Sequence, residues 1–394
     1  MKLLYYLHTL SIGGAQQSAL AMAREMRRHG NEVVFAGEVQ GDAFAKTLQG
    51  EGFACINMPF SRKPLEVWRI ARRLAAVCSR EGIDVCHAYY YTNYYFAWTA
   101  SLLHRMPPIA GTFCGGPGPR YHIPRLSPVI VFSEEQKDVF TTEWDWRPDD
   151  LLVSPGRVEP PAPQTFDRNA LLSRYELNPQ MLTVLFVSRL SEDKRGSVEA
   201  IAQLAREIPA RRLRWQILVA GGGALEGELR KLGRQLRQSA NRTVIAVPGE
   251  QLKLEEFYAC ADIVAGVGRS IFDGMMRGMP ALVVGGSGFA GLAAPETVRD
   301  LAYYNFSGRN ASEGAGVEEL VAAISRLASP EERQRLGSFA RKYAEGNLAA
   351  PAGAKVLLEY YEKLRGLPPN PRLKVLREVA LSTISYIRRK GFHA

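Results

Sequence analysis

Residues 261–286, ADIVAGVGRSIFDGMMRGMPALVVGG, decide the fold. The stretch predicts a buried strand, a glycine-rich turn, a short helix opening on Asp273 and a second apolar strand. In a parallel sheet, such a unit places a carboxylate and free backbone N–H groups at the carboxyl edge of the strands. That edge can hold the sugar and the phosphates of a nucleotide, so the stretch indicates a ligand as well as a fold.

The same alternation of short apolar runs and helical patterns extends over the whole chain. It stops at PGRVEPPAP, residues 155–163, which has the composition of an interdomain linker, and then restarts. The pattern predicts an α/β fold with two doubly wound Rossmann-like domains that face a cleft, and a C-terminal helix that packs back across it. We expect an N-terminal, acceptor-side domain at residues 1–165, a nucleotide-binding domain at 166–348, and a crossover helix with a basic tail at 349–394.

Composition narrows the class of protein. The 394 residues are 46% hydrophobic, which suffices for more than one core, and no apolar run reaches the roughly 18 residues of a membrane span. The five cysteines are widely spaced without a CxxC pair, so they fit neither a disulfide framework nor a structural zinc site. There is no D-x-D or H-x-x-x-H arrangement of the usual metal-binding kind. We therefore expect a cytoplasmic protein with reduced thiols, no metal and no cofactor.

Positive charge is concentrated at the end of the chain. The net charge is +10, and half of it arises after Pro371, where one acid, Glu378, stands against six basic residues: Arg372, Lys374, Arg377, Arg388, Arg389 and Lys390. A second basic amphipathic segment lies at residues 64–80. Both segments fit an anionic membrane surface, and both fit equally a helix packed on its sheet with a solvated face. No nucleic-acid-binding motif accompanies the charge, so we expect no nucleic-acid partner.

The loop SRLSEDK, residues 188–194, follows a predicted strand of the second domain and carries two cations. Arg189 and Lys194 would lie beside a helix N-terminus, where positive charge suits a diphosphate. The alternative is that both cations pair on the surface with Glu192 or Asp193. Their position at the carboxyl end of a strand favours the diphosphate.

Glycines make two further turns accessible to a ligand. Gly13 and Gly14 separate the first strand from the first helix, where phosphate or sugar can reach backbone N–H groups. Gly268 lets the backbone approach a nucleotide ahead of Asp273, which either accepts hydrogen bonds from ribose hydroxyls or caps its helix. Arg269 either pairs with Asp273 or faces a phosphate.

These motifs resemble the GT-B glycosyltransferases, and specifically glycosyltransferase family 4, whose members transfer sugars from nucleotide donors, usually with retention of anomeric configuration. The resemblance extends over residues 2–364 and rests on GGAQQSALAMAREMRRHGNEV, SRLSEDK, AGGGALEGEL and, above all, AGVGRSIFDGMMRGMPALV. The last run matches the family pattern E-G-F-G-x-x-x-x-E-A-M-A-x-G-x-P-V at both glycines, at the helix, and at Gly278 and Pro280.

The resemblance implies roles for single residues, with two departures from the family. Arg189 and Lys194 would hold the donor diphosphate, and Asp273 would replace the glutamate that binds ribose. The family's first glutamate, which contacts the donor sugar, falls on Ala265, and the histidine of its T-x-H turn falls on Cys114. Ala265 accepts no hydrogen bond, and a thiol replaces an imidazole poorly. The positions implied for nucleotide and phosphate are therefore kept, whereas the two implied for the sugar are changed.

Two histidines near the predicted carboxyl edge complete the candidates. His87 ends the run DVCH, where it either contacts a sugar or, as we favour, is a buried structural histidine. His122 lies in a loop rich in Gly and Pro, where we expect an acceptor lid. No nucleophile is specified, so the catalytic residues stay unassigned.

Together these features predict a hexosyltransferase of polysaccharide or lipopolysaccharide biosynthesis, peripheral on the inner face of the membrane. It would move a hexose from a nucleoside diphosphate-sugar to a lipid-linked or cell-envelope glycan acceptor, without a metal and with retention as the resemblance implies. The alternative, favoured by Ala265 and Cys114, is a non-catalytic protein that binds a glycan or a nucleotide sugar. A nucleotide-sugar epimerase is a weaker hypothesis, because it needs neither an acceptor loop nor a basic surface.

Overall fold

Strands and helices alternate along the chain. The structure is a computed structural model that describes residues 1–39, 41, 43–61, 63–116, 118–251, 253–311 and 316–391; the side chains of residues 64, 65 and 389–391 lie outside the described part, and with them the tail cations Arg389 and Lys390. The strands are β1 (Lys2–Thr9), β2 (Glu32–Glu38), β3 (Ala54–Asn57), β4 (Val85–Tyr89), β5 (Ile109–Phe113), β6 (Val129–Val131), β7 (Leu151–Val153), β8 (Leu182–Val187), β9 (Trp215–Ala220), β10 (Ile245–Gly249), β11 (Ile263–Gly266), β12 (Ala281–Gly285) and β13 (Gly288–Leu292). The helices are α1 (Gly14–Arg28), α2 (Ala43–Gly50), α3 (Pro64–Arg80), α4 (Tyr91–Leu103), α5 (Glu134–Trp144), α6 (Arg168–Arg174), α7 (Arg195–Ala210), α8 (Glu226–Ala240), α9 (Glu255–Cys260), α10 (Arg269–Met276), α11 (Val298–Tyr303), α12 (Val317–Arg326), α13 (Pro330–Asn347), α14 (Ala350–Gly366) and α15 (Arg372–Gly391).

The chain forms two compact units, each with its own sheet. Unit 1 consists of residues 1–157 and 350–394, and unit 2 consists of residues 158–349. The sequence predicted these boundaries at 165/166 and 348/349. The unit 1 sheet has seven parallel strands in the order β3-β2-β1-β4-β5-β6-β7. In the described part of unit 2 the sheet has six strands in the order β10-β9-β8-β11-β12-β13, of which β13 alone is antiparallel. The predicted α/β fold with two doubly wound sheets is therefore confirmed.

Helices cover both faces of the unit 1 sheet, as the continuous apolar run of β1 indicates. Successive residues of β1 enter different cores. Leu3 and Tyr5 pack with α1 and α14, whereas Leu4 and Tyr6 pack with α3, α4 and α15. Burial of each such side chain contributes about 1.5–3 kcal/mol, so the alternation along the strand holds helices on both sides.

The last two helices both belong to unit 1. They occupy the range in which the sequence predicts a crossover helix and a basic tail. α14 packs against α1 on one face of the sheet, and α15 packs against α4 on the other. Among the residues that the structure describes, no helix combines the length and the hydropathy needed to cross a bilayer.

The strand order determines where a ligand can reach each sheet. The winding of the chain reverses between β1 and β4 in unit 1 and between β8 and β11 in unit 2. At such a point the loops after the two neighbouring strands leave in opposite directions, so a crevice opens at the carboxyl edge. The loops after these four strands are therefore the places where we look for a ligand site.

Candidate functional site

The turn after β9 anchors the loop that follows β8. The N–H of Leu190 donates to Gly222 O at 2.8 Å. A Cβ atom on Gly221 would lie 1.8 Å from Ser188 O, a separation that no side chain allows. The glycines after β9 therefore let two loops at the edge of the unit 2 sheet approach each other closely, and they fix the loop that carries Arg189.

Arg189 and Lys194 both lie near Asp193 on that loop. Arg189 Nη2 is 3.6 Å from Asp193 Oδ2, and the two side chains are 77% and 59% exposed. The pKa of Asp193 is lowered, mainly by a hydrogen bond from Ser191 and further by the charges of Arg189 and Lys194. The surface pairing considered from the sequence is thus present for Arg189. Because an exposed pair of this kind contributes at most about 1 kcal/mol, an anionic ligand can replace Asp193 as the partner of Arg189.

The N-terminus of α7 follows this loop directly. Lys194 is its N-cap residue and forms no side-chain cap. The Arg195 N–H donates to Glu192 O, whereas the next N–H groups of the first turn have no partner within the helix. Ser197 in that turn is 1% exposed, and its hydroxyl has no hydrogen-bond partner among the described residues. The helix dipole, the Lys194 cation and this unsatisfied hydroxyl together favour an anion. Nothing in the sequence distinguishes Ser197 from other helical serines.

The turn between β11 and α10 lies next to the loop after β8, because β8 and β11 are neighbours. A Cβ atom on Gly266 would lie 2.9 Å from Val187 O and 2.5 Å from Ser270 Oγ. Gly268 is the N-cap of α10, and its φ of 55° is a left-handed conformation that favours glycine. Its N–H donates to Phe306 O at 2.8 Å. The sequence-based prediction of free N–H groups in this turn is therefore wrong at Gly268.

The sequence predicted that α10 begins at Asp273, and this prediction is wrong. The helix begins at Arg269, directly after the left-handed glycine, and Asp273 lies one turn further along. Arg269 Nε is 3.3 Å from Asp273 Oδ2, and Arg277 Nη1 is 3.9 Å from Asp273 Oδ1. Of the two roles considered for Arg269, the ion pair is the one present. Arg277 was missed, although the spacing Arg-x-x-x-Asp-x-x-x-Arg places the three charges on one helix face.

Ala265 lies in the interior of unit 2. It is fully buried in β11, and its methyl group packs in the same core as Ile263. The resemblance implies contact with the donor sugar at this position. In the structure the position holds a buried methyl group that does not reach the protein surface.

Gly13 and Gly14 lie where β1 turns into α1. Gly13 is the N-cap residue in an extended conformation, Gly14 is the first residue of the helix, and no side chain caps the helix. Gln16 folds beside the turn: its Oε1 is 2.5 Å from where a Cβ on Gly13 would lie, and its Nε2 donates to Thr9 O at 3.4 Å. The first-turn N–H groups thus remain without an intrahelical partner, and the Gln16 amide is an additional polar group beside them.

Tyr90 and Cys114 follow the next two strands of unit 1. Tyr90 is the N-cap of α4 with a φ of 72°, a conformation that costs a residue other than glycine roughly 1 kcal/mol or more. This strain lies at the switch point between β1 and β4, and no sequence signal marks it. Burial raises the pKa of the Cys114 thiol. The thiol is therefore neutral and supplies neither the charge nor the acceptor of an imidazole.

Both ring nitrogens of His87 have partners inside unit 1. Its Nδ1 is 2.6 Å from Tyr361 OH, and its Nε2 is 2.6 Å from Thr112 Oγ1. The ring stacks on Tyr89 with the centroids 4.5 Å apart. Burial lowers the pKa of His87 to about 3, so the ring is neutral. This is the structural role that the sequence favoured, and it leaves no ring nitrogen for a sugar.

The Gly- and Pro-rich loop after β5 is tied to α15. His122 Nε2 donates to Glu378 Oε2 at 2.9 Å, and the His122 N–H donates to Ser385 Oγ at 2.9 Å. The Arg125 N–H donates to the same Glu378 oxygen at 3.0 Å. His122 therefore anchors this loop on the last helix.

Two doubly wound units with glycine-lined carboxyl edges define the GT-B class of fold. The model of Glycosyltransferase Family 4 matches residues 12–129, within unit 1. Among curated protein sequences, none matches the chain.

Solved structures share the fold over almost the entire chain. A glycosyltransferase from Rickettsia africae aligns with a TM-score of 0.71 at 16% identity, over 93% of this chain and 99% of that protein. HepE from Anabaena, in complex with UDP and glucose, aligns with a TM-score of 0.65 at 16% identity, over 92% and 100%. WaaG, a glycosyltransferase involved in lipopolysaccharide biosynthesis, aligns with a TM-score of 0.61 at 13% identity, over 93% and 100%. The resemblance to glycosyltransferase family 4 is confirmed for residues 12–129. For the rest of the chain the aligned structures, at these identities, establish the GT-B fold alone.

Proposed function

We propose that this protein is a glycosyltransferase that takes a sugar from a nucleoside diphosphate donor and transfers it to an acceptor hydroxyl. The observation that carries the proposal is the loop after β8, which brings Arg189 and Lys194 to the N-terminus of α7 at the switch point of unit 2. The family match in unit 1 and the complex of HepE with UDP and glucose support the same class of reaction.

Arg189 and Lys194 act on the leaving group. As the bond between the anomeric carbon and the diphosphate oxygen breaks, negative charge develops on the diphosphate, and two cations and the dipole of α7 stabilise it. The anomeric carbon passes through an oxocarbenium-like state and bonds to the acceptor oxygen, while the hydroxyl proton passes to an oxygen of the departing diphosphate. These cations take the role of a magnesium ion, so the reaction is metal-independent. Retention of configuration follows from the family resemblance alone, and no protein nucleophile is assigned.

Asp273 remains the candidate for the ribose hydroxyls. It lies one turn into α10, behind the Gly266–Gly268 turn, with Arg269 and Arg277 on either side. An ionised carboxylate has about four acceptor positions. It can therefore accept a hydrogen bond from a hydroxyl while it keeps at least one arginine.

The acceptor is a lipid-linked or cell-envelope glycan, and the sugar is a hexose. The role of WaaG in lipopolysaccharide biosynthesis supports this choice of acceptor. Unit 1 would bind the acceptor, with the loop after β5 and the strained Tyr90 beside it. The protein would work at the cytoplasmic side of the membrane.

Nucleotide release tests the proposal. The protein is incubated with UDP-, GDP-, dTDP- and CMP-sugars, each with and without lipid-linked acceptors, and transfer requires both substrates. Arg189→Ala and Lys194→Ala should each lower turnover by about 100-fold, the usual effect of removing one charge-stabilising donor. Arg237→Ala is the matched control, because Arg237 is an exposed arginine of unit 2 that pairs with Glu176. Full turnover in both site variants excludes the diphosphate role.

A non-catalytic protein that binds a nucleotide sugar or a glycan is the second candidate. The buried Ala265 and the neutral thiol of Cys114 favour it, because both lack the polar group that the family uses on the sugar. Donor binding without nucleotide release, with every acceptor tried, would support this candidate. A changed sugar in the absence of acceptor would indicate an epimerase.

A further inference from the structure

One face of α15 carries a row of exposed apolar side chains. Leu373, Leu376, Ile384 and Ile387 are 81%, 53%, 47% and 59% exposed, whereas Val379 on the opposite face is 5% exposed. Along the chain these four residues are separated by three, eight and three positions. With about 3.6 residues per turn, this spacing places the four side chains on one stripe of the helix. α15 therefore buries one apolar side on unit 1 and presents a second one outward.

This row is unusual within the protein. Ten large hydrophobic side chains are exposed in the described part of the chain, and half of them, the four above and Leu381, lie on α15. Single exposed leucines are normal on a protein surface. A contiguous apolar stripe on one helix marks an interaction surface.

The charges on α15 are equally one-sided. Its exposed described cations are Arg372, Lys374, Arg377 and Arg388. Its one acid, Glu378, is 5% exposed and faces the loop after β5. The outward surface of the helix therefore combines apolar and basic side chains without a carboxylate, which complements an anionic partner.

A groove also lies at the start of α15, beside the part of the helix that packs on unit 1. It is a cavity of about 460 Å³ between the end of α4 and the segment before α15, and Arg372 and Val375 contribute to its wall. Leu103 and Leu367 also line it and are 38% and 42% exposed.

We propose that the outward face of α15 docks on an anionic lipid bilayer. The helix, about 30 Å long, lies in the plane of the membrane with its leucine and isoleucine side chains among the acyl chains and its cations at the phosphates. This is the arrangement of an interfacial amphipathic helix. A second copy of the chain fits less well, because a twofold contact would set four cations of one copy against the same four of the other.

The same helix holds the loop after β5 through Glu378 and His122. If the proposed transferase function holds, docking of α15 keeps the acceptor-side loop at the membrane surface, where a lipid-linked acceptor resides. The docking itself does not depend on that function.

Vesicle co-sedimentation of the full chain tests the docking. Wild type should sediment with phosphatidylcholine vesicles that contain phosphatidylglycerol and stay in solution with phosphatidylcholine alone. The variant L373Q/L376Q/I384Q/I387Q should bind at least about tenfold more weakly, and R377Q/R388Q about fivefold more weakly for each cation removed. Phe166→Gln and R299Q/K342Q are the matched controls in unit 2 and should bind as wild type does.

Three results would overturn the proposal. Wild type could fail to bind anionic vesicles, or both α15 variants could bind as tightly as wild type. Alternatively, wild type could be a dimer that the apolar variant converts to a monomer, which would identify a second copy as the occupant. If the apolar variant does not fold, the charge variant decides. Thermal stabilisation by nucleotide sugars, measured on the same proteins, reports on the transferase proposal separately.

Discussion

Glu378 of the last helix and His122 of the loop after β5 are 256 residues apart in the chain, yet Nε2 and Oε2 lie 2.9 Å apart in the fold. Burial disfavours the charged form of Glu378, but the hydrogen bonds from His122 and from the Arg125 N–H outweigh this effect, so the pKa of Glu378 lies below its usual value. The carboxylate therefore stays ionised and joins α15 to the loop of unit 1 in which the sequence predicts an acceptor lid.

Replacing Glu378 by alanine should loosen this attachment. The His122 ring and the Arg125 N–H would lose their acceptor, which costs about 1–3 kcal/mol for groups that remain partly buried. The free energy of unfolding in urea measures the loss, and hydrogen exchange at the Arg125 amide locates it. Glu378→Gln keeps an acceptor oxygen and should lose less. Equal stability and equal exchange in wild type and Glu378→Ala would show that the contact does not hold the loop.

Because the pKa of Glu378 is lowered, the stability of this attachment should depend on pH in a defined direction. A carboxyl group whose pKa is lower in the folded than in the unfolded chain stabilises the folded state. This contribution is complete at a pH above the unfolded pKa of about 4.3, and it is lost as the pH falls through the folded pKa. The protection of the Arg125 amide, which is its exchange rate relative to that of an unstructured peptide at the same pH, should therefore fall below about pH 4 in wild type. In Glu378→Gln, which carries no proton to titrate, this fall in protection should be absent.

Because His87 is buried and neutral, we expect the stability of unit 1 to fall in acid. Its pKa is about 3 in the folded chain against 6.5 for a free histidine, because the ring is buried. Below pH 6.5 the unfolded chain therefore binds a proton that the folded chain does not, and the free energy of unfolding falls by up to about 1.4 kcal/mol per pH unit. His87→Gln cannot take up this proton, so its urea midpoint should depend less on pH between about 6 and 4. Parallel pH profiles of the two proteins would contradict the buried neutral ring.

We expect that replacing Gly221 by alanine displaces the loop that carries Arg189. Alanine there would place Cβ 1.8 Å from Ser188 O, so the loop that carries Arg189 must move. We expect a loss of more than about 1 kcal/mol of stability together with weaker donor binding. Gly227→Ala is the matched control, because Gly227 lies in α8 with no atom within 4 Å of the new Cβ, and it should be neutral or stabilising by up to about 1 kcal/mol. Thermal unfolding with and without nucleotide sugar separates the two effects.

The parts of the fold that depend on local pattern could be predicted from the sequence. Strands β1 to β6 and β8 to β12 and the helices α1, α3, α4 and α5 follow from short apolar runs and helical spacing. The short strand β7 and the short helix α2 were not predicted. β13 was not predicted, because GFAGL is glycine-rich and returns antiparallel to β12. The start of α10 was placed one turn late, because Gly268 adopts a left-handed conformation and Arg269 already begins the helix.

The parts of the site that depend on distant contacts could not be predicted. Arg189 and Lys194 follow a strand directly, so strand order alone brings them to the sheet edge. One ring nitrogen of His87 contacts Tyr361 and one of His122 contacts Glu378, on helices more than 250 residues further along the chain. No periodicity reveals such pairs. For the basic tail, the sequence left open whether the segment lies on a membrane or packs on its sheet as a helix. Which side of α15 packs on unit 1 could not be predicted, because its contacts there are with residues far away in the chain.

The central claim is that Arg189 and Lys194 bind the diphosphate of a nucleotide sugar. Isothermal titration calorimetry with UDP, GDP and dTDP on wild type, R189A/K194A and R237A tests it most directly, because it requires neither the acceptor nor turnover. We predict that one of these nucleotides binds wild type and R237A equally and binds R189A/K194A at least about tenfold more weakly, which corresponds to about 1.4 kcal/mol. Equal affinity for wild type and R189A/K194A, or no heat with any nucleotide, would contradict the claim.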